Sequence, residues 1–206
     1  MQKIIILHGL FMHGLVMKPL SKRLQREGFE VEIISYNSRT INVDHLFRKI
    51  ERALHPSNPN IIVGHSLGGL LALSFLESKK PSYDSISHLV TLASPLNGSS
   101  IAQRLVELNC SRILGNSIQY GLEPTNRVWS GEQKVGSIAG NLPLGIRSVL
   151  LRDKEMSDGT VTISETQLQG MTDHVMLESS HTSIIYSSKT VKQIKAFVQQ
   201  DRFIHQ

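Results

Sequence analysis

Apolar positions along the chain keep two rhythms, one suited to strands and one to helices. Short runs rich in β-branched residues or alternating apolar and polar occur at 3–7, 29–36, 61–63, 86–92, 135–139 and 174–177, each the length of a single strand. Between them the spacing becomes helical. Leu20 and Leu24 follow Pro19 and precede Gly28, a start and stop that suit a helix. Val43, Leu46, Phe47, Ile50 and Leu54 share one face, and Pro56 ends that segment. Leu70, Leu71 and Phe75 carry a third helix to Lys79-Lys80-Pro81, and Ile101, Leu105 and Leu108 mark a fourth. Val191, Ile194, Phe197 and Val198 make a closing helix before a polar tail. Strands separated by helices need crossover connections, so the pattern predicts an α/β fold. Its sheet is mainly parallel and twisted, with helices on both faces. No repeat, low-complexity tract or linker divides residues 1–206, which read as one domain. Residues 96–134 are too long for a turn and read as a small cap-like insertion.

One stretch carries chemistry on its face. Ile61-Ile62-Val63 runs straight into Gly64-His65-Ser66-Leu67-Gly68, a strand, a sharp turn and a helix with the pattern G-x-S-x-G. That geometry lifts the Ser66 hydroxyl above the sheet and aims the following amides at the same point. Gly64 and Gly68 lack a Cβ, which lets strand and helix approach around a strained residue 66. A serine alcohol is a weak nucleophile alone, so this reading requires a base, an orienting acid and an oxyanion hole elsewhere. A phosphate-binding loop does not fit, because no Lys follows the second glycine.

Composition narrows the field. The chain has 206 residues, 40% hydrophobic and 19% charged, an ordinary globular balance with enough length for a sizeable core. Cys110 is the single cysteine, which excludes an internal disulfide framework and a cysteine-based metal cluster. The net charge is +5, yet Lys and Arg are scattered and aromatics are only 5%, so no nucleic-acid partner is expected. A mildly basic surface suits peripheral contact with anionic lipid or acidic substrates, and equally a plain solvated surface. Lys3 precedes the apolar Ile4-Ile5-Ile6-Leu7, but His8, Gly9 and His13 interrupt it and no cleavage site follows. No apolar run approaches the roughly 20 residues of a membrane span. The expectation is a cytoplasmic protein.

The ordered motifs then point further. With His8-Gly9 early and Gly64-His65-Ser66-Leu67-Gly68 at the third strand, the chain resembles the α/β-hydrolase fold, in particular its compact lipase and esterase branch. Ala93-Ser94-Pro95-Leu96-Asn97-Gly98-Ser99 is similar to the segment such lipases carry after the next strand. Asp158-Gly159-Thr160-Val161 resembles their acid loop, and Ser180-His181-Thr182-Ser183 their histidine loop. The resemblance implies a Ser66–His181–Asp158 triad, in the chain order Ser, Asp, His that this fold requires. His174 competes as base, and Asp153 and Asp173 compete as acid. An Asp-Gly pair is often only a turn, and about eighteen residues separate the fifth strand from Asp158, longer than a minimal hydrolase needs. The oxyanion hole would use the amides of Leu67 and Leu10, with Phe11 as runner-up to Leu10. His8 is read as orienting that loop. No metal and no cofactor are expected.

The expected activity is hydrolysis of carboxylic esters, small-molecule or lipid, through an acyl-enzyme on Ser66. The same residues would serve a thioesterase, amidase or acyltransferase, and the fold alone also occurs in silent binding proteins. Phe11, Ile101, Leu105 and Trp129 are the expected substrate contacts, with Leu108, Ile113 and Val128 as further wall of the insertion. Ordinary core packing is an equal alternative for Leu105 and Leu108.

Overall fold

A computed structural model of the chain describes residues 1–123, 127–151 and 153–205. Six strands form one sheet: β1 (Lys3–Leu7), β2 (Glu30–Ile34), β3 (Asn60–His65), β4 (Ile86–Leu92), β5 (Lys134–Gly140) and β6 (Asp173–Leu177). Their order is β2-β1-β3-β4-β5-β6, and every pairing is parallel. The central strands β3 and β4 are buried along their whole length. That is why they read as continuous apolar runs rather than alternating ones. At the edge, β2 is buried only at Ile34, and it ends two residues short of the 29–36 expected from its partial alternation.

Side chains of successive strand residues separate into two cores. On one face Ile5, Leu7, Ile62 and Leu89 pack with α2 (Val43–Ala53) and α3 (Leu67–Lys79). On the other, Ile4, Ile6, Ile61, Val63 and Val90 pack with α1 (Lys18–Arg26) and α6 (Ser188–Gln200). Helix α2 starts where the Asn42 side chain accepts the His45 amide, a cap of the kind worth about 1 kcal/mol. Helix α3 is apolar on nearly all sides, with Leu67–Phe75 buried except Ser74. The sheet lies under it, and the insertion covers its outer side.

That insertion is more tightly integrated than a separate cap. Its helix α4 (Ser100–Glu107) is capped by the Ser99 hydroxyl, which accepts the Ala102 amide. Leu96, Ala102, Leu114, Leu122 and Trp129 all join the α2–α3 core. Residues 124–126 of the 96–134 insertion lie outside the described residues.

Candidate active site

Ser66 sits at the turn from β3 into α3 with φ 53° and ψ −122°. A non-glycine residue held there carries strain of about 1–3 kcal/mol. Its surroundings over-determine it: the Ser66 amide donates to the Leu92 carbonyl at 2.9 Å, and the Ser66 carbonyl accepts the Gly69 amide at 3.0 Å. The flanking glycines allow the turn. A Cβ on Gly64 would stand 2.5 Å from Gly69 Cα, and one on Gly68 would stand 2.5 Å from the Leu7 carbonyl oxygen. Both contacts are with backbone, which cannot swing aside.

Asp158, the acid expected from the sequence, lies in the loop after β5. The Asp158-Gly159 pair is a turn, with Gly159 at φ 92°, and it also holds a carboxylate in place. Asp158 Oδ1 accepts the amides of Thr160 and Val161, both at 2.8 Å. Its Oδ2 is left to accept from His181 Nδ1 at 2.8 Å. Only 1% of the Asp158 side chain is exposed. His181 follows β6, and its amide donates to the Asp158 carbonyl at 3.0 Å, so main chain and side chain align the two loops together. His181 Nε2 lies 3.1 Å from Ser66 Oγ. With Nδ1–H assigned to the carboxylate, Nε2 is left as a hydrogen-bond acceptor for the Ser66 hydroxyl. The structure thus joins Ser66, His181 and Asp158 in one hydrogen-bonded line at the carboxyl ends of β3, β5 and β6, where parallel sheets gather ligands.

The competitors are engaged elsewhere. Asp153 is held by Arg147, from Nε at 3.0 Å and Nη2 at 2.5 Å. Asp173 pairs with His205 at 2.9 Å and accepts the Phe203 amide. His174 Nε2 meets Thr166 Oγ1 at 2.9 Å. The length of the acid loop also has a reason. Residues 141–151 and 153–157 fold back as a brace around the short helix α5 (Arg147–Leu150), whose Arg147 amide donates to the Gly159 carbonyl at 2.9 Å. The buried Arg147 guanidinium donates to Ser100 Oγ at 2.6 Å, and Glu165 accepts from both the amide and the hydroxyl of Ser100. Acid loop and α4 are therefore clamped to each other.

The amides of Leu10 and Leu67 are the oxyanion donors expected from the sequence. Among the described residues, neither the Leu10 nor the Leu67 N–H has a hydrogen-bond acceptor. The Phe11 amide does have one, Ser38 Oγ at 3.1 Å, which rules out Phe11 as the second donor while that bond is made. The loop is set by His8, which is fully buried. Its Nδ1–H donates to the Gly9 carbonyl at 2.9 Å, and its Nε2 accepts the Tyr36 amide at 3.3 Å. Tyr36 O–H closes the arrangement by donating to the His8 carbonyl at 2.5 Å. Burial lowers the His8 pKa, which keeps the neutral tautomer these contacts need.

The expected substrate contacts divide. Phe11 is 59% exposed on the loop beside the serine. Ile101 is buried at the start of α4 yet belongs to neither main core, and Leu105 packs against the α2–α3 core. Trp129 does not fit the expectation. It is 8% exposed, its indole N–H donates to the Gln133 carbonyl at 2.9 Å, and it lines a cavity of about 690 Å³ with Leu76, Lys80 and Pro81. Leu76 lies roughly 15 Å along α3 from Ser66 at 1.5 Å per residue. Trp129, and with it Val128, belongs to the opposite end of the sheet, because the chain has already returned there to begin β5. Residues that the sequence did not single out are Ser38, Tyr36, Arg147 and Glu165. Each acts through partners distant in sequence, so no local signal marked them.

Among the described residues no group of three or more His, Cys, Asp and Glu side chains is placed to hold a metal ion, and no helix is long and apolar enough to cross a membrane.

The sequence pattern of the PGAP1-like alpha/beta domain matches residues 29–200. The chain belongs to that family. The match takes in Ser66, Asp158 and His181, while β1 and the Gly9–Leu10 loop precede it. No curated protein matches the PGAP1-like chain. Solved structures similar to it include the mature lipase BlEst2 of Bacillus licheniformis, at 20% identity and TM-score 0.67 over 96% of this chain and 90% of that one. The propeptide form of the same lipase is covered over only 50% of its length. A pyrethroid hydrolase from Sphingobium faniae JZ-2 gives 16% identity and TM-score 0.61, over 97% and 98% of the two chains. The NocB thioesterase domain from the nocardicin cluster gives 14% and 0.62, over 96% and 94%. At such identities the likeness is one of fold: the PGAP1-like chain has the α/β-hydrolase fold.

Proposed function

We propose that the protein is a serine hydrolase cleaving carboxylic esters through an acyl-enzyme on Ser66. The observation that carries this is the line Ser66 Oγ–His181 Nε2–Asp158, at 3.1 and 2.8 Å, beside two amides with no acceptor. Ser66 Oγ attacks the ester carbonyl carbon while its proton passes to His181 Nε2. The carbonyl electron pair moves onto oxygen, where the Leu10 and Leu67 N–H groups receive the charge. Each such donor is worth about 3 kcal/mol of barrier in other hydrolases. Collapse expels the alcohol, which takes the proton from His181. Water, activated by the same imidazole, then releases the acid. Asp158 holds the tautomer and stabilises the cation formed in both steps. The lipase and thioesterase among the similar structures support this reading, and a thioester would follow the same route with a thiol leaving.

The Leu96–Lys134 segment, clamped to the acid loop through Arg147, Ser100 and Glu165, supplies the acyl wall in this reading, with Ile101 and Leu105 as its apolar contacts. Hydrolysis of p-nitrophenyl esters of increasing acyl length, run beside acyl thioesters, tests the reading. Turnover of a short oxygen ester that disappears in Ser66→Ala is the expected result. Turnover of thioesters alone would move the assignment to the thioesterase reading, and no turnover of either would overturn it.

A further inference from the structure

We propose that a basic groove next to the oxyanion loop binds an anionic group, carboxylate or phosphate, carried by the substrate. This rests on the ester-hydrolase reading and gives it a substrate class. Between the loop at Phe11–His13 and the segment 35–39 after β2 lies an open groove of about 640 Å³, with Lys49 of α2 on its remaining side. No Asp or Glu lines it, whereas Arg39 and Lys49 both do. Lys49 Nζ donates to the Ser35 carbonyl at 3.1 Å. That bond tethers the ammonium at the groove and leaves its other protons for a ligand. Among the described residues neither Lys49 nor Arg39 has a carboxylate within ion-pair distance, and Arg39 Nη2 donates only to the Arg112 carbonyl, at 3.4 Å.

Position gives the groove its meaning. Its wall residue Phe11 lies two residues on from Gly9, where an added Cβ would stand 3.1 Å from Ser66 Cβ, and the Phe11 amide is fixed to Ser38 Oγ across the groove. Strand β1 lies between β3 and β2 in the sheet. The groove at the end of β2 is therefore two strand spacings from Ser66, roughly 10 Å. A substrate with its ester over Ser66 and an anion about one aromatic ring away would span both.

The probes are three butyrate esters of one phenol, differing only at the para position: CH₂COO⁻, CH₂PO₃²⁻ and the neutral CH₂CONH₂. Their binding to the Ser66→Ala protein by calorimetry needs no turnover. Hydrolysis of the amide ester by the unsubstituted protein reports separately on the ester-hydrolase reading. The two anions are expected to bind about fivefold or more tighter than the amide, the scale of one solvent-exposed ion pair. That preference should shrink toward one in Lys49→Gln and in Arg39→Gln and in 0.5 M salt, and it should persist in the distant Lys192→Gln. A larger effect for the dianion than for the carboxylate would assign a phosphate. Equal affinity for all three probes, or a preference unchanged in both groove variants, overturns the proposal even where the amide ester is turned over.

Discussion

His65 Nε2 donates to the main-chain carbonyl of His181 at 2.8 Å, so the residue before the proposed nucleophile holds the loop of the proposed base. The two rings lie 5.0 Å apart, centre to centre. His65 is fully buried, and desolvation together with the neighbouring His181 pushes its pKa down to about 3. It is a neutral donor throughout the physiological range. Its Nδ1 has no hydrogen-bond partner among the described residues, which makes protonation there especially unfavourable.

This gives a pH prediction with a definite sign. His65 binds a proton in the unfolded chain below about 6.5 and in the folded chain only near 3. Its contribution to stability is complete above pH 6.5 and is lost as pH falls toward 3, with a limiting slope of about 1.4 kcal/mol per pH unit. Urea unfolding between pH 7.5 and 5 should show this loss, and His65→Gln should flatten it. Equal slopes in the two proteins would contradict the assignment.

His181→Ala and Asp158→Asn should each lower kcat by several orders of magnitude. The double variant should be little worse than His181→Ala, because the carboxylate acts through the imidazole. Rates for the two singles and the double decide it. A near-normal Asp158→Asn combined with a crippled Asp153→Asn would move the acid to the other side of the loop.

Arg147 is 5% exposed at its side chain and bridges Asp153, Ser100 and, at 4.0 Å, Glu165. Arg147→Met removes the cation and leaves these acceptors behind. The expected loss is about 3 kcal/mol, since breaking a largely buried pair from one side strands the other charge. Chemical unfolding measures this directly. A loss below about 1 kcal/mol would mean that the clamp is not a structural element.

Val106, Leu108 and Ile113 are exposed large apolar residues of the insertion. If the segment sets substrate size, Leu108→Asp and Ile113→Asp should shift the preferred acyl length and spare a short acetate ester. A change in melting temperature with an unmoved chain-length profile would assign these residues to packing.

Much of this was legible in the residues. Gly64-His65-Ser66-Leu67-Gly68 marks the elbow because only a sharp strand-to-helix turn demands that glycine spacing, and the six apolar runs mark the six strands. Asp158 and His181 were reachable through motif order. Trp129 was misplaced because a large apolar side chain in a long insertion says nothing about which end of the sheet it covers. Ser38 and Tyr36 depend on contacts with residues 27 and 28 positions away, and the Arg147–Ser100 contact spans 47, which no local pattern encodes. The edge of β2 was overextended because partial alternation continues past the last paired residue.

The central claim is that Ser66 is acylated, and a fluorophosphonate probe tests it most directly. Intact mass followed by peptide mapping should show a single adduct on Ser66 with turnover abolished, and no adduct on Ser66→Ala, whose melting temperature should remain near that of the unsubstituted protein. A folded, ester-hydrolysing sample that carries no adduct at Ser66 would contradict the account.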